Sequence, residues 1–174
     1  MLMTIEQYMK IVLLVEVFKD NEERINEEVY KIFDYQDKTQ EEKNKLTNDI
    51  YVKIKLNEDF INRFEFNGIE YGFIPNLQNI TTQECLDLDK LLKEGKQLNK
   101  IASILYRPIT KSFNEYYDIE PYESYTKYEK IMNLVDCVII VGAIDYIKQL
   151  TLSLMMAANK SLINNTKELI DETK

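Results

Sequence analysis

Between Leu134 and Ala158 the chain carries more apolar surface than one side of a water-facing helix needs. Val138, Ile139, Ile140, Val141, Ala143, Ile144 and Ile147 run round nearly the whole circumference, and Gly142 and Ala143 allow a neighbour to approach closely. The same stretch contains Asp136, Asp145 and Lys148. Its longest charge-free run, Gln149 to Ala158, is far short of the ~18–20 residues a membrane span requires. The pattern therefore predicts a long central helix, wrapped by helices around Leu88, Ile101 and Val12, and no membrane association. The far end, from Leu152 to Leu162, is expected to be left for a partner. Leu152, Met155 and Met156 are the candidate interface residues there, methionine being able to adapt to an imperfect surface.

Composition narrows the chemistry. A chain of 174 residues is read by default as one domain. With four glycines and three prolines it favours long helices over a many-turned sandwich. It has no histidine, so a Ser-His-Asp triad and a Cys-His pair are both excluded. Cys85 and Cys137 stand far apart beside apolar residues and are read as reduced core thiols. A net charge of −8 opposes general affinity for nucleic acid. The start of the chain lacks the basic residues of a signal peptide.

Local signals give an order of elements. Thr4-Ile5-Glu6-Gln7 fits a capping box, with a helix to about Lys19. Asp20-Asn21 ends it and caps a second helix from Glu22 to about Tyr35. Gln36 to Lys45 reads as a loop or a short helix capped by Thr39. Ile50, Val52, Ile54 and Leu56 alternate with polar residues and predict a strand; Leu46, Ile50 and Ile54 at i+4 spacing keep a helix open. Phe64 and Phe66, then Asn67-Gly68, then Ile69, Tyr71 and Phe73 predict a β-hairpin with a type I′ turn, ended by Pro75. Thr81-Thr82-Gln83-Glu84 caps a helix to Glu94, with Cys85, Leu88, Leu91 and Leu92 inward and Gly95 as its C-cap. A further helix runs from Gln97 to Tyr106 and is stopped by Pro108. Lys111 to Pro121 reads as a tyrosine-rich connector, Tyr122 to Met132 as a short helix, and Asn133 onward as one long helix reaching towards Ile170. The fold expected is α+β, mostly helical, with a small antiparallel hairpin or meander and the long central C-terminal helix. A helical arm at 1–45 precedes an α+β core domain at 46–174, with the hairpin at 62–75.

The charged clusters have plain explanations. Glu84, Asp87 and Asp89 lie on one helix at a spacing that does not converge oxygens on a metal, and they suit a charged first turn. Glu115, Asp118, Glu120 and Glu123 surround Tyr116, Tyr117 and Tyr122, as in a loop held by tyrosine packing. A pair of carboxylates for hydrolysis is the competing reading. Asp136 and Asp145 read as ion-paired or exposed, with Lys148 and Lys127 as mates, against a buried general acid. Asp20 to Glu42 holds nine acids against Arg24, Lys31 and Lys38, while Lys90 to Lys111 is basic apart from Glu94. Solvated helix faces explain both runs, with steering of a partner as the alternative. Arg107, at a helix exit fixed by Pro108, is expected to form a structural clamp with Glu120 or Asp118. No glycine-rich phosphate loop, HExxH, CxxC or EF-hand pattern is present, so no catalytic residue, metal or cofactor is expected.

The segments Phe64-Glu65-Phe66-Asn67-Gly68-Ile69-Glu70-Tyr71-Gly72-Phe73-Ile74-Pro75, Ile80-Thr81-Thr82, Leu86-Asp87-Leu88-Asp89, Ile104-Leu105-Tyr106-Arg107-Pro108-Ile109-Thr110 and Ile119-Glu120-Pro121-Tyr122 occur in that order. They resemble small proteins of the structural-gene modules of tailed bacteriophages, including the crAss-like kind, over roughly residues 62–155. The resemblance implies a non-enzymatic role in building the virion, as a neck, tail or packaged component. The alternatives are a tail-assembly chaperone absent from the finished particle, or an uncharacterised small hydrolase using carboxylates. It implies other phage structural proteins and further copies of the chain as partners, in the host cytoplasm during assembly or in the particle.

Overall fold

The computed structural model describes residues 2–19, 21–55, 60–95 and 97–171. It is an α+β structure, mostly helical, around one four-stranded antiparallel sheet. The elements in chain order are α1 (Ile5–Phe18), α2 (Glu22–Ile32), α3 (Gln40–Lys55), β1 (Arg63–Phe66), β2 (Ile69–Phe73), α4 (Thr82–Glu94), α5 (Leu98–Leu105), β3 (Tyr106–Phe113), β4 (Tyr116–Ile119), α6 (Glu129–Met132) and α7 (Cys137–Asp171).

Local chemistry sets the helix starts. The Thr4 hydroxyl accepts from Gln7 N–H (3.2 Å) while the Gln7 side chain accepts from Thr4 N–H (3.0 Å). Thr81 and Glu84 repeat the device at α4, which ends on Gly95 with φ 67°. A third reciprocal pair, Thr39 with Glu42, opens α3, and hydrogen bonds from Thr39 lower the Glu42 pKa. α3 replaces the strand expected over Ile50 to Ile54; Leu56 lies outside the described residues. Two periods compete in that stretch. The i+4 pair Leu46 and Ile50 is buried, whereas Val52, which the strand pattern would turn inward, is 40% exposed. The boundary drawn at 45/46 falls inside this helix.

The sheet is a meander of order β1-β2-β3-β4. Asn67 (φ 52°) and Gly68 (φ 75°) make the tight turn between β1 and β2, with Phe66 opposite Ile69. The expected connector from Lys111 to Pro121 is instead a second hairpin, β3–β4, turning at Asn114 (φ 55°). The backbone passes directly from α5 into β3 at Tyr106, so the helix stops before Pro108. Only Glu129–Met132 of the helix expected over Tyr122 to Met132 is helical.

α5 is the most enclosed helix: Ile101, Ala102, Ser103, Ile104 and Leu105 are all at most 1% exposed. The start of α7 packs on it and on α1, contributing Cys137, Ile139, Ile140 and Ala143 to the core. Backbone bonds tie the N-terminus into this junction, Ile5 N–H to the Val135 carbonyl (2.9 Å) and Cys137 N–H to the Met3 carbonyl (2.8 Å). Cys85 is exposed rather than inward, because the buried face of α4 is Glu84, Leu88 and Leu91; Leu92 is 38% exposed. No helix among the described residues is long and apolar enough to cross a membrane.

Candidate functional site

Two features stand out: a buried polar clamp where α4 meets the sheet, and an apolar groove on the helical side. The clamp begins with Glu84. As the third residue of α4 it caps Thr81 N–H with one oxygen (2.7 Å), and its other oxygen lies 2.7 Å from Arg107 Nη2. Glu84 is 2% exposed and Arg107 6%. The charge contact falls outside hydrogen-bonding angles, and Arg107 Nε has no hydrogen-bond partner. The guanidinium also lies 5.7 Å from the centre of the Tyr122 ring, whose hydroxyl donates to Asp87 (2.7 Å).

Arg107 therefore pairs with Glu84, and not with Glu120 or Asp118 as expected. β3 places residue 107 opposite Gly72, which aims its side chain inward at the start of α4. Asp118 is exposed on the edge strand β4. Glu120 accepts from the Tyr128 hydroxyl and from Lys127 (3.1 Å), and Lys127 also reaches Glu123 (2.7 Å). These bonds, first that from Tyr128, hold the Glu120 pKa below the ordinary carboxylate value, and the Arg107 charge adds to the effect. The sequence reading placed Glu84 in the helix cap and in a charged first turn with Asp87 and Asp89, not in a buried pair. The signal that could have found it is the i, i+4, i+7 face of Glu84, Leu88 and Leu91, which puts the cap glutamate in line with two core leucines.

Six tyrosines, most of them near this clamp, share one electrostatic property. Tyr8, Tyr71, Tyr106, Tyr117, Tyr122 and Tyr128 all have raised pKa values, burial being the largest cause in each; Tyr128 is pushed up to about 12. The unfolded chain ionises these phenols near pH 10 while the folded chain keeps its protons. Their contribution is complete below about pH 10 and is lost as pH rises from there through about 12. Lys127, raised by its bonds to Glu123 and Glu120, acts in the same direction. Urea midpoints should be unaffected by these groups between about pH 7 and 9.5, then fall as pH rises from about 10 towards about 12. A midpoint that stays level to pH 12 would contradict the burial of these rings.

The groove, of about 680 Å³, runs between α1, the α4–α5 junction and α7. Met9, Val12 and Leu13 line it from α1, Leu92 and Leu98 from α4 and α5, and Val141 and Ile144 from α7. Glu6, Lys10, Glu16, Asp145 and Lys148 also border it. Glu6 pairs with Lys10 (2.8 Å) and Asp145 with Lys148 (3.4 Å). Asp136 accepts from Val138 N–H at the start of α7. Beyond the groove, Leu152 is 60% exposed and Met156 65%, while the Met155 side chain lies outside the described residues. Val15 and Val17 add exposed apolar surface on α1.

This arrangement suits recognition by shape and apolar contact. Among the described residues no group of three or more Cys, Asp or Glu side chains is placed to hold a metal ion. Comparison with family models, with curated proteins and with solved structures finds no match.

Proposed function

We propose that this chain is a bacteriophage virion or virion-assembly protein, and that it works by protein–protein contact and not by catalysis. The observation that carries the contact reading is the exposed apolar surface of the helical side. Leu152 and Met156 on α7, with Leu13, Val15 and Val17 on α1, are each about half exposed or more. Apolar residues clustered on helices and open to water mark interaction sites. The segmental resemblance over residues 62–155 supplies the phage context. Of the carboxylates that offered a hydrolytic pair, Glu120 is engaged by Tyr128 and Lys127 and Glu123 by Lys127.

The particle itself tests this reading. Mass spectrometry of purified virions should detect the chain as a component. Its absence from virions whose assembly still depends on it would make it a tail-assembly chaperone, and particles that form normally without the gene would end the proposal. Replacing Leu152 and Met156 together by glutamate should change stability by no more than about 0.5 kcal/mol, since both sites are exposed. The same pair should reduce particle yield at least about tenfold, the equivalent of roughly 1.4 kcal/mol of lost contact. Normal yields would remove α7 from the interface.

A further inference from the structure

The far end of α7 leaves the body of the protein. The α7 residues buried in the core, Cys137, Ile139, Ile140 and Ala143, all lie at its start. From Lys148 onward exposed residues occupy every side of the helix: Lys148, Gln149, Thr151, Leu152, Ser153 and Met156. At 1.5 Å per residue α7 runs about 33 Å beyond Gln149, to Asp171. Asn159, Asn164, Asn165 and Thr166 are poor helix formers, and helices in proteins owe most of their stability to the packing of an apolar face. This part of α7 therefore needs a surface to pack on. Its sequence repeats at an interval of seven, with apolar doublets at Met155-Met156, Leu162-Ile163 and Leu169-Ile170. Written as heptads, the doublets take positions d and e, and Leu152, Asn159 and Thr166 take position a. A strict seven-residue apolar repeat on a helix is the pattern of a left-handed coiled coil. Upstream, the same register falls on Asp145 and Lys148, which pair with each other (3.4 Å). The seam thus opens at Leu152, where the helix has left the body.

We propose that this seam packs against the same seam of a second copy of the chain, in a parallel, in-register, two-stranded coiled coil. Asn159 selects a like helix as the partner. It holds the middle a position, and in-register pairing sets it against its own copy, where the two amides hydrogen-bond. One such Asn fixes register and oligomer state at a cost in stability. Charge permits the same choice. The e positions are the apolar Met156, Ile163 and Ile170 and the g positions are Thr151, Ala158 and Asn165, so two identical helices meet without repulsion. The area is sufficient as well. Leu152 and the three doublets bring apolar side chains worth about 60–120 Å² apiece. Two such helices bury about 800–1,700 Å², which reaches the size of a stable interface. The proposal names the partner of the α7 surface and rests on the reading of that surface as an interface.

Sedimentation velocity of the full chain should show a dimer at about 10 μM, twice the mass of the 20.7 kDa chain. Leu162→Glu with Leu169→Glu should weaken pairing at least about hundredfold. Near-UV circular dichroism checks that this variant keeps the folded body, which lies before the seam. Asn159→Ile should act in the opposite direction. It should tighten association at least about tenfold and admit species larger than the dimer, since no polar a residue then restricts the state. Leu162→Cys in a Cys85→Ser chain should cross-link through residue 162 on mild oxidation, as in-register pairing requires. A wild type that stays monomeric at about 100 μM, a glutamate variant that pairs unchanged, an isoleucine variant that associates no more tightly, or a cysteine variant that does not cross-link would each overturn the proposal. A monomeric wild type whose particle yield still falls with the Leu152 and Met156 glutamate pair would overturn it too, and would leave the particle-building reading standing with a different partner on α7.

Discussion

Arg107→Ala is expected to destabilise the protein by about 3–5 kcal/mol, because it leaves the Glu84 carboxylate buried without its counter-charge. The magnitude follows from desolvation. Both groups are almost fully removed from water, and either alone would be a charge in an apolar surrounding. The pair itself is worth much less than that, since its attraction is offset by what it cost to desolvate both ions. Replacing both partners, Arg107→Met with Glu84→Leu, should therefore recover most of the loss. A deficit of about 1 kcal/mol should remain, since Glu84 also caps α4 through Thr81. Urea denaturation of the wild type, the single variant and the double variant checks this as a cycle. A double variant no more stable than Arg107→Ala would mean that the pair supplies net attraction.

Tyr106→Ala should cost a comparable 3–5 kcal/mol or so, by a different route. Tyr106 is fully buried where α5 becomes β3. Its ring meets Phe64 and Phe73 edge-on, at 5.3 and 5.5 Å between centroids. Truncation opens a cavity between the sheet and the helices. The hydroxyl donates to the Ile61 carbonyl (2.6 Å) and lies 3.4 Å from that of Ile139, and burial raises its pKa. Tyr106→Phe separates the two contributions: it keeps the ring and should cost about 1–2 kcal/mol for the lost hydrogen bond. If the phenylalanine variant were as unstable as the alanine variant, the hydroxyl and not the packing would be what holds the junction.

Features closed by neighbours in sequence were legible. Both capping boxes read from the chain, Thr4 with Gln7 and Thr81 with Glu84, form their reciprocal bonds. Asn67-Gly68 makes its turn and Gly95 ends α4. Each of these depends on groups three or four residues apart and on the φ a residue can adopt. The Lys148–Asp145 pair suggested by proximity also forms.

What the sequence determined by itself, then, was the set of local decisions: where helices start, where one hairpin turns, and that the chemistry of histidine is excluded. Tertiary structure alone decided the rest. Over Leu46 to Ile54 the apolar residues satisfy periods of two and of nearly four at once, and packing around Leu46 and Ile50 chose the helix. β3 was hidden behind Pro108 and a run of tyrosines, because a strand needs a neighbour, and half of its neighbours lie on β2, more than thirty residues earlier. Arg107 found Glu84 for the same reason. A charge about to be buried takes whatever opposite charge the fold brings within 3 Å or so, and that choice depends on how β3 crosses α4, which no spacing along the chain encodes.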